Sequence, residues 1–560
     1  MYTEEMLESI KLVEAAREAN AAMEPRRMSA EEKDQVLKEN HPDYRADQFD
    51  TLSVGPNKGE KAPKELVKLL QSDSRLKNHL PDLSCPDYET DVLIIGGGAS
   101  GMAAAVAAAE MGAEVTVAEA NAAVGGNGLF PRGIFGVDSK IQRKKLVFAD
   151  RDQIFRDCMN YSHWKIDGRI IRTLIDKSGD TVNWLMDRGV EFCDVVHHIP
   201  NQTPEVFHIT EAEGNVGHCV IRNLKRICEE KGVRILTGAK GKTLLKDEKA
   251  SVCGAVCETK DGEVVIKAQK VILCTGGFAG NDEMVEKYYP GFKRELVGQG
   301  GGMRHPGDGI RMALEAGAEV EGNFTMEAAA PKIKGYDALN LFLGKPYNVW
   351  LNRFGERFAD EGIVYNFAVS FNACLRQPDG QVWVVFNQAL LDQTLSDGKD
   401  MIETIHMPPN VEERLDTTME QAIADGVLCK ADSYEALAAF IGCDAETVKA
   451  SMEEYNAFCH AGRDGWFAKD KRYMLSMEEG PYYAIKAGED MLITHGGIRV
   501  NERFEALGGD YKPVENLYVA GVDFGGADAD VYNVVMSGHG FGFAVNSGRI
   551  AGENAVKALK

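Results

Sequence analysis

The chain has 560 residues, which is too long for a single hydrophobic core, so we expect two or three domains. Its 86 acidic and 63 basic residues give a formal net charge of −23, which disfavours binding to nucleic acid or to an anionic membrane surface. No apolar run is long enough to predict a membrane span, and the acidic N-terminus lacks the apolar segment of a signal peptide. We therefore expect a soluble, cytoplasmic protein.

The first 88 residues differ in composition from the rest and are predicted to form a helical N-terminal extension. They are rich in Lys and Glu, and Ser29 and Glu32 have the spacing of a capping box at the start of a helix. Such an extension is expected to wrap the body of the protein or to meet a partner.

A β–α–β unit follows, formed by an apolar strand at 91–95, an Ala-rich helix and a second strand that ends at Glu119. A G-x-G-x-x-G motif, formed by Gly96, Gly98 and Gly101, joins the first strand to the helix. These glycines permit a tight turn and a close approach to a pyrophosphate, which the helix N-terminus attracts. A carboxylate at Glu119 can accept hydrogen bonds from a ribose. The unit therefore predicts a dinucleotide site.

Three further turns favour FAD over NAD as the ligand. They are Gly125-Gly126-Asn127, Thr275-Gly276-Gly277 after a strand predicted at 270–274, and Gly521 with Asp523 at the end of a strand predicted at 516–521. A closing helix is predicted at 545–559. NAD sites are built from one contiguous unit, whereas separated turns with a C-terminal contribution suit the longer FAD. No second dinucleotide motif is visible, so electrons are expected to arrive from a separate protein or small carrier rather than directly from NADH.

The twelve cysteines contain no C-x-x-C pair. In a long chain expected in the cytoplasm, this scatter favours buried thiols over a disulfide framework. An iron–sulfur cluster assembled from distant cysteines is the less favoured alternative. No metal-binding residues are predicted.

An ordered set of motifs extends from the β–α–β unit to the C-terminus. After the turns above come Gly307-Asp308-Gly309, Asn352-x-x-Gly355-x-Arg357-Phe358-x-x-Glu361, Pro481-Tyr482-Tyr483-Ala484, Thr494-x-Gly496-Gly497 and Gly548-Arg549-Ile550-Ala551-Gly552. In this order they make the chain, from about residue 90 to residue 560, resemble the fumarate reductase/succinate dehydrogenase flavoprotein superfamily. The resemblance is strongest to its soluble flavocytochrome-type and 3-ketosteroid-dehydrogenase-like branches.

The resemblance implies an α/β fold in which a discontinuous, Rossmann-like FAD-binding domain carries an inserted α+β capping domain and the helical extension. The predicted divisions are 1–88 for the extension, 89–328 and 492–560 for the FAD-binding domain, and 329–491 for the capping or substrate domain, which has a strand predicted at 382–386. Superfamily members hold a small-molecule substrate between the domains and move a hydride between the flavin and an activated carbon–carbon bond. FAD is expected to bind non-covalently, because the stretch 128–133 lacks the His of covalent members.

The residues predicted to bind FAD combine the glycine turns, the amides at the helix N-terminus and the motifs shared with the superfamily. They are Gly96, Gly98, Ala99, Ser100, Gly101, Glu119, Ala120, Gly125, Gly126, Asn127, Thr275, Gly276, Gly277, Asp308, Gly521, Asp523 and Gly538.

We compared the chain with fumarate reductases without gaps. At four positions where those enzymes carry a cationic or proton-carrying side chain, this chain carries a neutral one. They are Tyr365, Leu391, Ile493 and Val535. Each lost charge-assisted hydrogen bond is worth roughly 1.5–3 kcal/mol, so a dicarboxylate such as fumarate is not the expected substrate. A neutral or singly charged enone, enoate or polyphenol fits better. The alternative is that a gap in the comparison assigns one of these roles to another Arg.

Five residues are candidates for catalysis. Tyr532 and Gly538 resemble the Tyr and Gly that bind a substrate carbonyl in the ketosteroid-dehydrogenase branch. A phenol can polarise a carbonyl or deliver a proton while it stays neutral. His495, His539 and Tyr365 are candidate acids. The alternative for Tyr532 is packing beside the flavin, and for each His it is a structural role.

Three functions are compatible with the sequence. The favoured one is an ene-reductase, in which reduced FAD delivers a hydride to an activated alkene. The reverse reaction, desaturation next to a carbonyl, uses the same site, because the flavin potential and the electron partner set the direction. The third is a non-catalytic flavin subunit that relays electrons in a complex, with residues 1–88 as its docking arm. The oligomeric state is open, and a homo-oligomer is among the options.

Overall fold

The structure is a computed structural model that describes residues 2–23, 28–41, 44–52, 59–64, 66–67, 83–199, 203–210, 215–289, 297–299, 305–399, 401–407 and 410–559. The chain divides into two compact units, Met1–His79 and Leu80–Lys560. No helix in these ranges is long and apolar enough to cross a membrane. All twelve cysteines are free thiols; six are buried and Cys85 is exposed.

The strands are β1 Phe49–Thr51, β2 Lys61–Pro63, β3 Tyr88–Ile95, β4 Val115–Glu119, β5 Ile134–Phe135, β6 Asp194–His197, β7 Glu205–Ile209, β8 Arg234–Thr237, β9 Lys240–Lys246, β10 Val252–Thr259, β11 Gly262–Leu273, β12 Val297–Gln299, β13 Thr325–Lys332, β14 Val349–Asn352, β15 Val382–Asn387, β16 Leu428–Ala431, β17 Tyr482–His495, β18 Glu505–Leu507 and β19 Pro513–Val519.

The α-helices are α1 Glu4–Ala22, α2 Ala30–Asn40, α3 Ala99–Glu110, α4 Lys140–Lys145, α5 Arg151–Tyr161, α6 Gly168–Met186, α7 Val216–Glu230, α8 Asp282–Tyr288, α9 Asp308–Glu315, α10 Asn340–Leu343, α11 Phe367–Leu375, α12 Gln388–Asp397, α13 Met401–His406, α14 Leu415–Ala424, α15 Tyr434–Ile441, α16 Ala445–Ala461 and α17 His539–Lys557.

The N-terminal unit contains α1, α2 and the antiparallel pair β1–β2. The predicted capping box is confirmed: the Glu32 amide donates to the Ser29 hydroxyl, and the Ser29 amide donates to the Glu32 carboxylate. The only buried cluster among the described residues of this unit is small, formed by Leu52, Ala62 and Val67. The role of this segment as a docking arm stays a prediction.

The larger unit is built on an eight-stranded sheet whose central strands are parallel. Its order is β18-β19-β11-β3-β4-β8, with β10 paired to β11 and β9 to β10. The predicted strand at 91–95 lies within β3, and those predicted at 270–274 and 516–521 overlap β11 and β19, which end at Leu273 and Val519. Because the carboxyl ends of parallel strands meet at one edge of a sheet, the turns that follow these three strands lie together.

The last helix, α17, packs directly on α3. A Cβ atom at Gly548 would overlap the Ser100 carbonyl oxygen, so only glycine allows this backbone contact. Sequence patterning places the closing helix at 545–559, but it begins at His539. The difference arises at Gly538, whose left-handed φ of +81° turns the chain into the helix six residues earlier.

A six-stranded, mainly antiparallel sheet lies beside the first, with β13, β15 and β16 all paired to the long strand β17. The strand predicted at 382–386 is confirmed as part of β15. The predicted boundaries after residues 328 and 491 fall inside β13 and β17, which pair with each other. The division into FAD-binding and capping domains therefore stays a prediction.

A buried ion network joins the 350–365 segment of this region to residues after α16. Arg357 donates two hydrogen bonds of 2.8 Å to Glu361, and its guanidinium also lies 2.7 Å from Asp464. The Lys469 ammonium lies 3.0 Å from Glu361. Burial alone would raise the pKa of Glu361, but Lys469 and Arg357 hold it below its ordinary value. The four charges therefore compensate one another away from water.

We predict that Glu361→Gln lowers the free energy of unfolding by about 3–5 kcal/mol, because it leaves two buried cations with too little negative charge. Urea unfolding followed by far-UV circular dichroism measures this loss. Glu420→Gln, at an exposed position of α14, is the matched control and should change stability by less than about 0.5 kcal/mol. Equal losses in the two variants would contradict the prediction.

Candidate active site

A cavity of about 670 Å³ lies between the loops that follow the parallel strands and the second sheet. Its wall includes the starts of α3 and α17 and parts of β13 and β17. Most of the residues predicted from the sequence contribute to this wall. They are Gly96, Gly98, Ala99, Ser100, Glu119, Ala120, Gly126, Asn127, Thr275, Gly276, Asp308, Tyr365, His495, Gly521, Tyr532 and Gly538. The structure thus brings most of the predicted cofactor residues and four of the five predicted catalytic residues around one space.

Five predicted residues lie behind this wall, and four of them belong to the cofactor set. They are Gly101, Gly125, Gly277, Asp523 and His539. A Cβ at Gly101 would overlap the Gly96 carbonyl oxygen, so this glycine lets α3 approach the turn. The Asp523 carboxylate accepts hydrogen bonds from the Thr275 amide and hydroxyl and, at 2.7 Å, from the Gly277 amide. These residues lie behind the cavity wall and hold the loops that form it in place.

Bare backbone faces the cavity at the start of α3. The N-cap residue Gly98 forms no side-chain cap, so the first amides of the helix are open to a ligand. A Cβ at Gly98 would meet only the Gly125 carbonyl oxygen, at 3.8 Å, and one at Gly126 would meet only the Gly98 Cα, at 4.0 Å. This cradle of free amides with no side chain in front of it fits the FAD pyrophosphate.

An acid and an imidazole complete the fit to FAD. The Glu119 carboxylate is held at the cavity wall by the amides of Gly97, at 2.6 Å, and Asn121, at 2.7 Å, and it retains lone pairs for ribose hydroxyls. His305, which sequence patterning did not indicate, lies against Gly276. Its Nε2 is buried without a partner among the described residues, and burial lowers its pKa. A neutral imidazole thus faces the predicted cofactor.

Asp528 is the centre of a buried charged cluster at the other side of the cavity. It accepts hydrogen bonds from His539 Nε2 at 3.0 Å and from the Asn533 amide at 3.0 Å, and it lies 3.2 Å from His495 Nδ1. His539 Nδ1 faces the Met536 carbonyl oxygen at 3.1 Å. Both nitrogens of His539 therefore face protein acceptors, which gives this residue a positioning role behind the wall.

Tyr532, Glu327 and His495 meet beside Gly540, in the first turn of α17. A Cβ at Gly540 would lie 3.0 Å from Glu327 Oε2, 3.2 Å from His495 Cε1 and 3.2 Å from the Tyr532 hydroxyl. His495 Nε2 lies 3.4 Å from Glu327 Oε2. The Tyr532 ring stacks on His539 at 4.4 Å. Three proton-carrying groups thus face one point of the cavity.

Burial and charge set the protonation of this cluster. Burial alone would lower the pKa of His495, but hydrogen bonds to Asp528 and Glu327 raise it to about 9. Burial alone would raise the pKa of Asp528, but His539 and His495 hold it far below its usual range. Burial raises the pKa of Tyr532 well above its ordinary value. At neutral pH the site therefore holds a cationic imidazole beside the Asp528 carboxylate, together with a neutral phenol.

The structure adds Glu327 and Asp528 to the residues predicted from the sequence. Glu327 is the one acid in the small-residue strand 326–330, and Asp528 lies four residues before Tyr532, but neither matches a quoted motif. Of the four neutral positions noted above, Tyr365 and Ile493 line the cavity, whereas Leu391 and Val535 do not. The comparison with fumarate reductases at these last two positions therefore does not describe this pocket.

We predict that Gly98→Val weakens FAD binding on the order of tenfold or more, because the added side chain enters the space of the pyrophosphate while the backbone conformation remains allowed. The dissociation constant from FAD titration of the apoprotein measures the effect. Gly509→Val, at an exposed position where a Cβ would meet only Glu319 Oε2 at an ordinary contact distance of 3.6 Å, is the control. Unchanged FAD affinity in Gly98→Val would contradict the proposed cradle.

We also predict that stability falls at high pH through His495. Its folded pKa of about 9 lies above the ordinary 6.5, so the stabilisation is fully present below pH 6.5 and is lost as pH rises through about 9. Urea unfolding at several pH values measures how the free energy of unfolding falls between pH 6.5 and pH 9. His495→Gln should make this fall smaller by a few kcal/mol. His218→Gln, on the exposed face of α7, should keep the wild-type slope. Identical slopes in all three proteins would refute the assignment.

Comparison with known proteins agrees with this geometry. The sequence model of the FAD binding domain family matches residues 91–532. A vinyl phenol reductase of Lactiplantibacillus plantarum is 30% identical over 482 residues, which cover 83% of this chain and 96% of that protein. A probable fumarate reductase of Shewanella frigidimarina is 28% identical over 478 residues, which cover 84% and 76%.

A solved structure has the same fold. It is the 3-ketosteroid-Δ4-(5α)-dehydrogenase of Rhodococcus jostii RHA1, which matches with a TM-score of 0.66 and 23% identity, over 85% of this chain and 98% of that one. The family match and the relatives confirm the superfamily and the α/β class expected from the motifs. The chain belongs to the FAD-binding family of flavin-dependent oxidoreductases that includes the fumarate reductase flavoproteins.

Proposed function

We propose that this protein reduces an activated carbon–carbon double bond, with Tyr532 as the proton donor. Bound FAD, once reduced, supplies the hydride. The observation that carries the proposal is the convergence of Tyr532, His495 and Glu327 on Gly540, in the same cavity as the bare amides of α3. A hydride source and a proton source can then act on the two carbons of one alkene.

The Tyr532 hydroxyl is arranged to donate. It lies beside Gly540 at the cavity wall, close to Glu327, so the phenolic proton can point at the substrate or at Glu327. Because burial keeps the phenol protonated, it can act as a general acid over the whole neutral range. Glu327, whose side chain is 25% exposed, is placed to return a proton to it from the cavity side.

The cationic His495 stabilises the negative charge that develops on the substrate during the reaction. Hydride addition to an enone or a related alkene pushes negative charge onto the conjugated oxygen or ring. A fixed positive charge close to that position lowers the barrier, because it is already oriented before the reaction starts. Asp528 and His539 hold His495 and Tyr532 in place and are positioning residues.

The expected substrate is neutral or singly charged. Tyr365 and Ile493 present no charge to the cavity, and the strand between Glu327 and Lys332 is apolar. A relative named a vinyl phenol reductase and a relative named a probable fumarate reductase are both similar to this chain over more than four-fifths of its length, so substrate choice depends on the pocket rather than on the fold. Polyphenols, enones and enoates are the classes that this pocket favours.

The remaining features of the proposal follow the sequence. FAD binds non-covalently, electrons come from a separate protein or small carrier, and the protein works in the cytoplasm, alone or as a homo-oligomer. Desaturation next to a carbonyl is the second candidate, because Tyr532 and Gly538 both face the cavity and the same groups serve the reverse reaction.

Anaerobic stopped-flow tests the proposal with reduced protein and a panel of enones, enoates, vinyl phenols and fumarate. We expect the neutral alkenes to reoxidise the flavin fastest. Tyr532→Phe should slow this step by about a hundredfold or more while the flavin spectrum and its reduction by dithionite stay unchanged. Tyr511→Phe, at an exposed position, should behave as wild type.

Other results would reject the proposal. Reduction of the oxidised flavin by saturated ketones, without the forward reaction, would assign the protein as a dehydrogenase. Reoxidation only by a partner protein would assign it as an electron-transfer subunit. Wild-type rates in Tyr532→Phe would remove Tyr532 from the mechanism.

A further inference from the structure

The strands that carry Glu327 and His495 also carry a second polar pair into the cavity. Lys332 lies on β13, five residues beyond Glu327, and Asp490 lies on β17, five residues before His495. All four side chains line the cavity. At about 3.3 Å per residue, the two pairs are separated by about 16 Å of strand. The cavity therefore has polar groups at both ends of one wall.

Lys332 and Asp490 attract each other without direct contact. Asp490 Oδ1 is buried and has no hydrogen-bond partner among the described residues. The neighbouring acid Glu403 is paired with Lys345 at 2.6 Å, so it does not neutralise Lys332 by itself. Burial raises the pKa of Asp490 to about 6, against the effect of Lys332, and burial lowers the pKa of Lys332. A donor and an acceptor thus face a shared gap.

The wall between the two polar ends is small and apolar. Ala328, Ala329, Ala330 and Pro331 all border the cavity. Alanine methyl groups and a proline ring leave room for a flat group and offer it no hydrogen bond. An aromatic ring can therefore lie along β13 between the two ends.

We propose that Lys332 and Asp490 bind a hydroxyl group at the end of the substrate remote from the reacting double bond, and that the substrate is a phenol. A hydroxyl can donate to Asp490 and accept from Lys332 at the same time. A carboxylate at this place would meet the Asp490 charge, and an ether could not donate. This inference rests on the proposed function and names the substrate class for it.

Binding of saturated ligands to the oxidised, FAD-loaded protein tests the subsite without turnover. The probes are 4-ethylphenol, its methyl ether 4-ethylanisole, and 4-ethylbenzoate, and the readout is the change that each causes in the flavin absorption spectrum. We expect 4-ethylphenol to bind about tenfold or more tightly than the other two, because it alone satisfies both charged groups.

Substitutions test whether Asp490 and Lys332 cause the preference for the phenol over the ether. Asp490→Leu and Lys332→Met should each reduce the ratio of phenol to ether affinity to about threefold or less, while the affinity for the ether stays within about threefold of wild type. Lys486→Met, at an exposed position of β17 that does not line the cavity, is the matched control and should keep the full ratio. The ratio reports the hydroxyl contact and is insensitive to a general loss of ligand affinity.

Three results would overturn the subsite: no preference for the phenol in wild type, a preference that survives both substitutions, or no spectral response to any of the probes. The test is independent of catalysis. A hydroxyl preference without alkene reduction would reject the proposed function and keep the subsite. Alkene reduction without a hydroxyl preference would keep the proposed function and reject the subsite.

Discussion

The close contact between α3 and α17 is the constraint on which the cavity depends. Gly548 lets the backbone of the last helix touch the first helix of the β–α–β unit at Ser100. Two helices that are far apart in sequence therefore bring their N-terminal ends to one place. The end of α3 presents free amides, and the end of α17 presents Gly538 and Gly540 to the same space. Any side chain at this contact would push apart the two ends that the site needs together.

The electrostatics of the site follow from burial. Asp528 is buried with two imidazoles and an amide, so its negative charge is compensated within the protein. That charge in turn keeps His495 cationic close to Tyr532. A buried network of this kind is stable only when every member has a partner, and removal of one leaves an uncompensated charge. The residues that hold the proton donor are thus as strongly constrained as the donor itself.

The cofactor half of the site was predictable from the sequence, because its chemistry depends on local backbone shape. Gly96, Gly98 and Gly126 lie in short turns whose spacing is visible in the chain, and they line the cavity. Tyr532 and His495 could be proposed through motifs. Glu327 could not, because it meets His495 across 168 residues through the pairing of β13 with β17. Asp528 was missed because it matches no motif and because one of its partners, His495, lies on a separate strand, β17. The early start of α17 was missed because it depends on the left-handed conformation of Gly538.

The pairing of β13 with β17 has a consequence for how the site assembles. Glu327 and His495 belong to the second sheet, whereas Tyr532 and Asp528 belong to the loops that precede α17. The proton-handling group is therefore divided between two parts of the larger unit. A displacement of the second sheet would carry Glu327 and His495 away from Tyr532 in one step and would also widen the cavity. Such a displacement would leave Tyr532 without Glu327 and His495 beside it, while the glycine turns of the predicted cofactor site kept their places.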